Sequence, residues 1–401
     1  MANKLADLGK TLSKLTLLPE YIAITLRQTF KRLPENDKEI IFTLDDIRLF
    51  IDSDGMGRHA YLLLRAFNEA GYNVYLFKKV GFWAYTRLGK YGRYLYSLTN
   101  VKVVPSLPQE SERMIYAFDT VYPEVVQKSW KKRTFVNILK SPECTLGEIV
   151  PIPFSMHPIW YRSQGYLKTP SLRSTQRTMR MMFGGNTATE YYSNPHFLKY
   201  RQITRAEGLK AAYTFKQITA IAGKEKIDAL FNNTEYLNEG RILSTNDKSV
   251  GVEDRWLEFV AKSDFFLCFS GTDLPMCHNA IESMAVGTIP IISYSHWFTP
   301  PLEHMKNAVI YTDAEDLKRK LSDVFAMSQD DIKRLRAGVI EYYDTQLGGT
   351  NFVRRYEQQK DLENTMMLYP LYVLRAWEMP KSQQTLKDLK ACFGDKIKGS
   401  L

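Results

Sequence analysis

The run "EIIFTL" (39–44), together with the glycine loop and second apolar run after it, constrains the fold more than any other feature of the chain. The glycine-containing stretch is "DDIRLFIDSDGMGRHAYLLLRAFNEAG" (45–71), and the second run is "YNVYLFKK" (72–79). Strand, glycine loop, helix and strand form a βαβ unit. Such a unit commits its strands to a parallel sheet covered by helices. The apolar runs "RMIYAFD" (113–119), "TFVNILK" (134–140) and "EIVPIPF" (148–154) read as further buried strands of the same sheet. The first half is therefore a doubly wound α/β domain.

The pattern starts again after a polar, basic stretch at 162–176, which reads as a linker. "RTMRMMFGGN" (177–186) predicts a strand closed by a Gly-Gly turn, and "QITAIAG" (217–223), "DFFLCFSG" (264–271) and "NAVIYTD" (307–313) predict others. Helical text lies at 196–216, 256–263 and 314–326. The chain has 401 residues, more than one core usually spans, so two domains are expected on length as well. The expected boundaries are a helical segment over 1–38, a first Rossmann-like domain over 39–170, a second over 171–348, and helices over 349–401 that pack across both. Two tandem domains of this kind face a cleft, and ligands bind beyond the carboxyl ends of the strands.

Formal net charge is +10, which favours anionic partners such as nucleotides, acidic glycans or phospholipid headgroups. No apolar run is long enough for a membrane-spanning helix, and the N-terminus lacks the layout of a signal peptide. The four scattered cysteines suit a reducing cytoplasm. Leu5, Leu8, Leu12 and Leu15 recur at helical spacing among Lys4, Lys10 and Lys14, and Ile22, Leu26 and Phe30 continue the series. Two readings stay open: an interfacial helix at the inner membrane, or an amphipathic helix packed on its domain. Basic residues are spread without an aromatic–basic motif, so nucleic acid is not an expected partner. A non-catalytic membrane- or nucleic-acid-binding protein remains the rival class.

The chemistry concentrates in "PMCHNAIESMAVGTIPII" (275–292), a loop, helix and strand. The preceding strand ends at Ser270-Gly271-Thr272, and a helix start there offers free amides and a positive dipole end to a phosphate. His278 and Glu282 stand one turn apart, with Asn279 beside them. They read as a ligand-facing stripe, the carboxylate suited to ribose hydroxyls. Gly184 and Gly185 close the first strand of the second domain and permit close backbone approach. Arg58 and His59 follow Gly55-Met56-Gly57 and are candidates for acceptor contact; Asp46, after the first strand, is a candidate acceptor-side base. Asp52-Ser53-Asp54 has metal-binding spacing but falls in a long loop of the first domain, so no metal is expected. No other cofactor is expected.

"NAIESMAVGTIPII" and "GMGRHAYLLLRAF" (55–67) resemble the donor helix–strand and acceptor-domain loop of GT-B glycosyltransferases, over about residues 39–345. More narrowly, "RMMFGGNTATEYY" (180–192) and "ALFNNTEYLNEGR" (229–241) resemble the N-terminal domain of retaining β-Kdo transferases of the WbbB kind, which act in lipopolysaccharide O-antigen synthesis. That resemblance implies CMP-β-Kdo as donor, a saccharide or lipid-linked acceptor, retention without metal, and further domains of the same polypeptide. A GT-B enzyme using a UDP- or GDP-sugar is the alternative. Retention by double displacement needs a carboxylate nucleophile. The family's Asp position is Asn232 here, which implies a variant with its nucleophile neutralised. His278 is the other catalytic candidate. His157-Pro158 is similar to the His-Pro pair of sialyltransferases that use CMP-sugars.

Overall fold

The computed structural model describes residues 12–44, 50, 58–78, 80–106, 113–119, 130–137, 148–188, 203–245, 253–271, 276–359 and 365–368. The chain divides into two compact units, residues 1–152 with 349–401, and residues 153–348.

The first unit begins with helix α1 (Leu18–Phe30), then β1 (Glu39–Thr43), α2 (Arg58–Glu69) and β2 (Asn73–Phe77). Short helices α3 (Phe82–Tyr85) and α4 (Lys90–Tyr94) lead to β3 (Val101–Val104), β4 (Met114–Phe118), β5 (Lys132–Asn137) and β6 (Glu148–Pro151). β1 pairs in parallel with both β2 and β4. Ile40, Ile41 and Phe42 are wholly buried although they alternate in direction, because both faces of a parallel sheet are covered. From α2, Ala60, Leu63, Leu64 and Phe67 supply the apolar stripe that meets this core.

In the second unit α5 (Pro158–Arg162) and α6 (Thr169–Leu172) precede β7 (Met179–Gly185), α7 (Arg205–Ala212), β8 (Ile218–Ile221), α8 (Lys224–Asn232) and β9 (Leu237–Ser244). Then come α9 (Trp256–Val260), β10 (Ser263–Cys268), α10 (His278–Ala285), β11 (Ile289–Ile292), β12 (Val309–Ile310), α11 (Ala314–Ala326) and α12 (Gln329–Tyr342). All pairings are parallel, in the order β12-β11-β10-β7-β9-β8. The chain runs outward from β7 to one side, then returns to build β10, β11 and β12 on the other. The strand order therefore reverses between β7 and β10, the position where sheets of this type bind ligands. Gly287, at φ +72°, ends α10 in the left-handed region and turns the chain into β11.

The chain then re-enters the first unit through α13 (Asn351–Glu357) and β13 (Thr365–Leu368). β13 inserts between β5 and β6, completing the order β3-β2-β1-β4-β5-β13-β6. This corrects the expectation of helices alone after residue 348: "TMML" pairs on both edges as a parallel strand. The boundary between units falls at 152/153, not at 170/171. The stretch expected as a linker holds α6, and the Arg173 guanidinium fastens it to the Ala285 carbonyl and the Asp344 carboxylate. No helix among the described residues is long and apolar enough to cross a membrane.

Candidate functional site

The carboxyl ends of β7 and β10 gather five of the residues expected from sequence: Gly184, Gly185, Ser270, Gly271 and Asn279. The Asn279 amide donates to the Gly184 carbonyl at 2.7 Å, joining the start of α10 to the end of β7. Gly184 has no room for a side chain, since a Cβ there would sit 2.3 Å from the Trp256 ring. At Gly185 a Cβ would lie 3.7 Å from the Asn279 amide nitrogen. The backbone of β7 thus passes directly beside the first turn of α10.

Arg205 belongs to this cluster and was not singled out from the sequence. Its side chain is buried, and its guanidinium donates to the Asn186 carbonyl at 2.9 Å and the Ser270 carbonyl at 2.8 Å. It therefore bridges the ends of the two switch-point strands. Its placement follows from a capping box: Thr204 accepts from the Glu207 N–H while the Glu207 carboxylate accepts from the Thr204 N–H, which starts α7 at Arg205. The "TRAE" spacing carried that helix-start signal. α10 adds the positive end of its dipole, and its N-cap residue, Cys277, makes no side-chain hydrogen bond to the first turn. A buried guanidinium beside a helix N-terminus, with glycine backbone adjacent, is an arrangement suited to an anion.

The His278–Glu282 pair faces elsewhere. Glu282 is only 3% exposed. One carboxylate oxygen accepts from the His157 N–H and the Trp160 indole, both at 3.1 Å; the other accepts from the Trp256 indole at 2.7 Å. His278 is buried, with Nδ1 at 2.7 Å from the Ser155 carbonyl. A carbonyl only accepts, so Nδ1 carries a proton. The ring packs 4.9 Å from Phe154 and 5.3 Å from His157. The stripe expected to face a ligand instead ties residues 154–160 to α10. Asn279, about 100° further around the helix, is the side chain turned toward the switch point. His157 itself caps α5 by accepting from the Ile159 N–H.

Asn232 is not brought to this cluster. It is the last residue of α8, exposed, and precedes β9 at the amino edge of the sheet. Adjacent carbonyls confirm the edge: Asn233 accepts from Lys262 and Thr234 from Gln176, both of which precede their strands. β7 has seven residues. At ~3.3 Å each, roughly 20 Å of strand separates the two edges.

In the first unit Arg58 and His59 open α2. His59 is 5% exposed, and burial, reinforced by the neighbouring Arg58 charge, pushes its pKa down to about 3. Burial thus favours its neutral form. Asp119, also buried, follows β4, and its N–H bonds the Thr43 carbonyl at the end of β1. It stands at the switch point of the first sheet and was not singled out from sequence. Asp46, Asp52, Asp54 and Thr272 lie outside the described residues. A cavity of about 720 Å³ opens between α1 and the β2–β3 edge of the same unit.

No protein-family model matches the chain, and no curated protein matches it. Solved structures do. A glycosyltransferase from Rickettsia africae is 8% identical over 81% of this chain and 98% of its own, with a TM-score of 0.45. The N-terminal domain of Candida albicans trehalose-6-phosphate phosphatase is 9% identical over 82% and 97%, with a TM-score of 0.43. HepE from Anabaena, in complex with UDP, is 10% identical over 80% and 98%, with a TM-score of 0.42. Similarity at this level defines neither a family nor an activity.

Proposed function

We propose that the protein is a glycosyltransferase of the GT-B type whose sugar-nucleotide donor binds at the switch point of the second unit. The observation that carries this is the convergence of Arg205, the Gly184-Gly185 backbone and the start of α10 on one point beyond β7 and β10. In this reading the donor phosphate accepts from amides of the first turn of α10, and the buried guanidinium balances its charge. Asn279 and Ser270 orient the donor, and the glycines let it approach the backbone.

The proposed donor is CMP-β-Kdo, and the proposed reaction is transfer with retention to a saccharide or lipid-linked acceptor in O-antigen synthesis, on the strength of the sequence resemblance. Retention then calls for a carboxylate nucleophile; position 232, which the resemblance offers, stands roughly 20 Å from this donor site, so it serves only a donor bound at the opposite edge of the sheet. Arg58, His59 and Asp46 remain proposed acceptor-side groups.

Thermal shift with CMP, UDP and an oligonucleotide tests the reading. Stabilisation by a mononucleotide is expected, lowered at least about tenfold in affinity by Arg205→Met, which removes a buried charged donor worth ~1.5–3 kcal/mol per bond. A response to the oligonucleotide alone would overturn it. Asn232→Asp, assayed by CMP release with acceptor present, separates the two: no gain in turnover is expected with the donor at the switch point, and removes the nucleophile assignment, whereas a gain would overturn the donor placement.

A further inference from the structure

We propose that α1 is a docking face for an anionic lipid bilayer, an inference that stands independently of the donor site. The helix has two unlike sides. On its inner side the Tyr21 ring packs 5.6 Å from Phe82 and 5.4 Å from Tyr85. Gln28, 5% exposed, donates to the Tyr96 carbonyl and accepts from the Val103 N–H. Lys31 donates to the Leu98 and Val101 carbonyls, both at 2.7 Å. These contacts fix the helix to the first unit and fix which side looks outward.

The outward side is apolar. Leu18, Ile22, Leu26 and Phe30 follow one another at i, i+4 spacing and are 38, 49, 53 and 76% exposed. Leu12 and Leu15, in the turn before, are 56 and 42% exposed. These are six of the twelve exposed large hydrophobic residues among those described. Single exposed leucines need no explanation, but a continuous line of them on one element does. Trp83, 55% exposed, extends the surface from α3, where its neighbour Phe82 touches Tyr21. An exposed indole beside an amphipathic helix is suited to the bilayer interface.

Charge selects the occupant. Residues 12–33 hold the exposed cations Lys14, Arg27 and Arg32 against one carboxylate, Glu20, which accepts from the Tyr85 hydroxyl. Residues 82–102 hold Arg87, Lys90, Arg93 and Lys102 and no carboxylate. A second copy meeting this face by two-fold symmetry would bring like charges together. Anionic headgroups meet them with opposite charge, and each cation near such a surface contributes about 1 kcal/mol. Lys102 lines the cavity behind α1, beside Lys78, whose ammonium donates to the Leu44 carbonyl at 2.9 Å, so a headgroup phosphate has a cationic recess next to the apolar stripe.

The test is flotation of the full chain with vesicles of phosphatidylcholine alone or mixed with phosphatidylglycerol, for the native chain and the double variant Ile22→Glu, Leu26→Glu. Both side chains are half-exposed, so the variant keeps its fold, which its melting curve and its nucleotide response check. The native chain is expected on the mixed vesicles, with binding weakened by salt and at least about tenfold weaker in the variant. No flotation of the native chain, or equal flotation of the variant, overturns the proposal. So does sedimentation showing a native dimer that the variant dissolves, which assigns the stripe to a second copy. A normal nucleotide response with failed flotation overturns this inference alone; the converse overturns the donor site alone.

Discussion

Glu282 shows how a single residue type can be legible while its role is not. A carboxylate on an otherwise apolar helix could be read as a ligand contact, because nothing local distinguishes a ribose from two indoles. The partners that decide it, Trp160 and Trp256, lie 122 and 26 residues away in the chain. Glu282→Gln places an N–H₂ against donors that now meet a carboxylate, so one or two buried N–H groups lose their acceptor. The expected cost is about 3 kcal/mol, read by urea unfolding followed through tryptophan fluorescence. A neutral outcome would show that the indoles have other acceptors. His59 makes a second residue-scale prediction. Its pKa is about 3 in the folded chain against an ordinary 6.5, so the unfolded chain binds the extra proton between those values. Stability then falls as pH drops from 6.5 toward 3, by at most about 1.4 kcal/mol per pH unit. Replacing His59 with Leu should flatten that slope in denaturation curves measured at pH 4 to 6.5, and an unchanged slope would place the acid sensitivity elsewhere.

At the scale of elements, legibility follows burial. β10 is fully buried, β1 and β7 are buried except at Glu39 and Gly185, and their apolar runs announced these parallel strands. α10 and the turn at Gly287 were readable from the helix-to-strand text that contains them. β9 is harder: "LNEGRILS" has polar residues at its start, and its strand identity comes from pairing with β7 and β8 on both sides. β13 is harder still, because "TMML" is short, follows a polar stretch, and becomes a strand only through the gap between β5 and β6. The same holds for α1. Its periodicity was visible, but two readings remained open until Tyr21, Gln28 and Lys31 showed which side was taken.

At the scale of the whole molecule, the two units differ in how the chain builds them. Residues 153–348 are contiguous and contain every strand of their sheet, whereas the first unit needs residues 349–401 to return. A fragment of 153–348 is therefore expected to unfold cooperatively on its own and to keep the nucleotide response, checked by circular dichroism and thermal shift. Residues 1–152 alone lack β13, so β5 and β6 lose their shared neighbour and that fragment should melt without a sharp transition. Failure of 153–348 to fold would show that it depends on the other unit for its core. The α/β class, the repeated βαβ rhythm and the glycine turn at the end of β7 were determined by the sequence itself, because periodic burial and backbone freedom are written locally. The tertiary structure alone decided that Arg205 joins the site, that Glu282 faces two indoles, that Asn232 stands at the far edge, and that the chain returns to fill the first sheet. Each of those depends on groups distant in the chain, and only folding brings such groups within reach of one another.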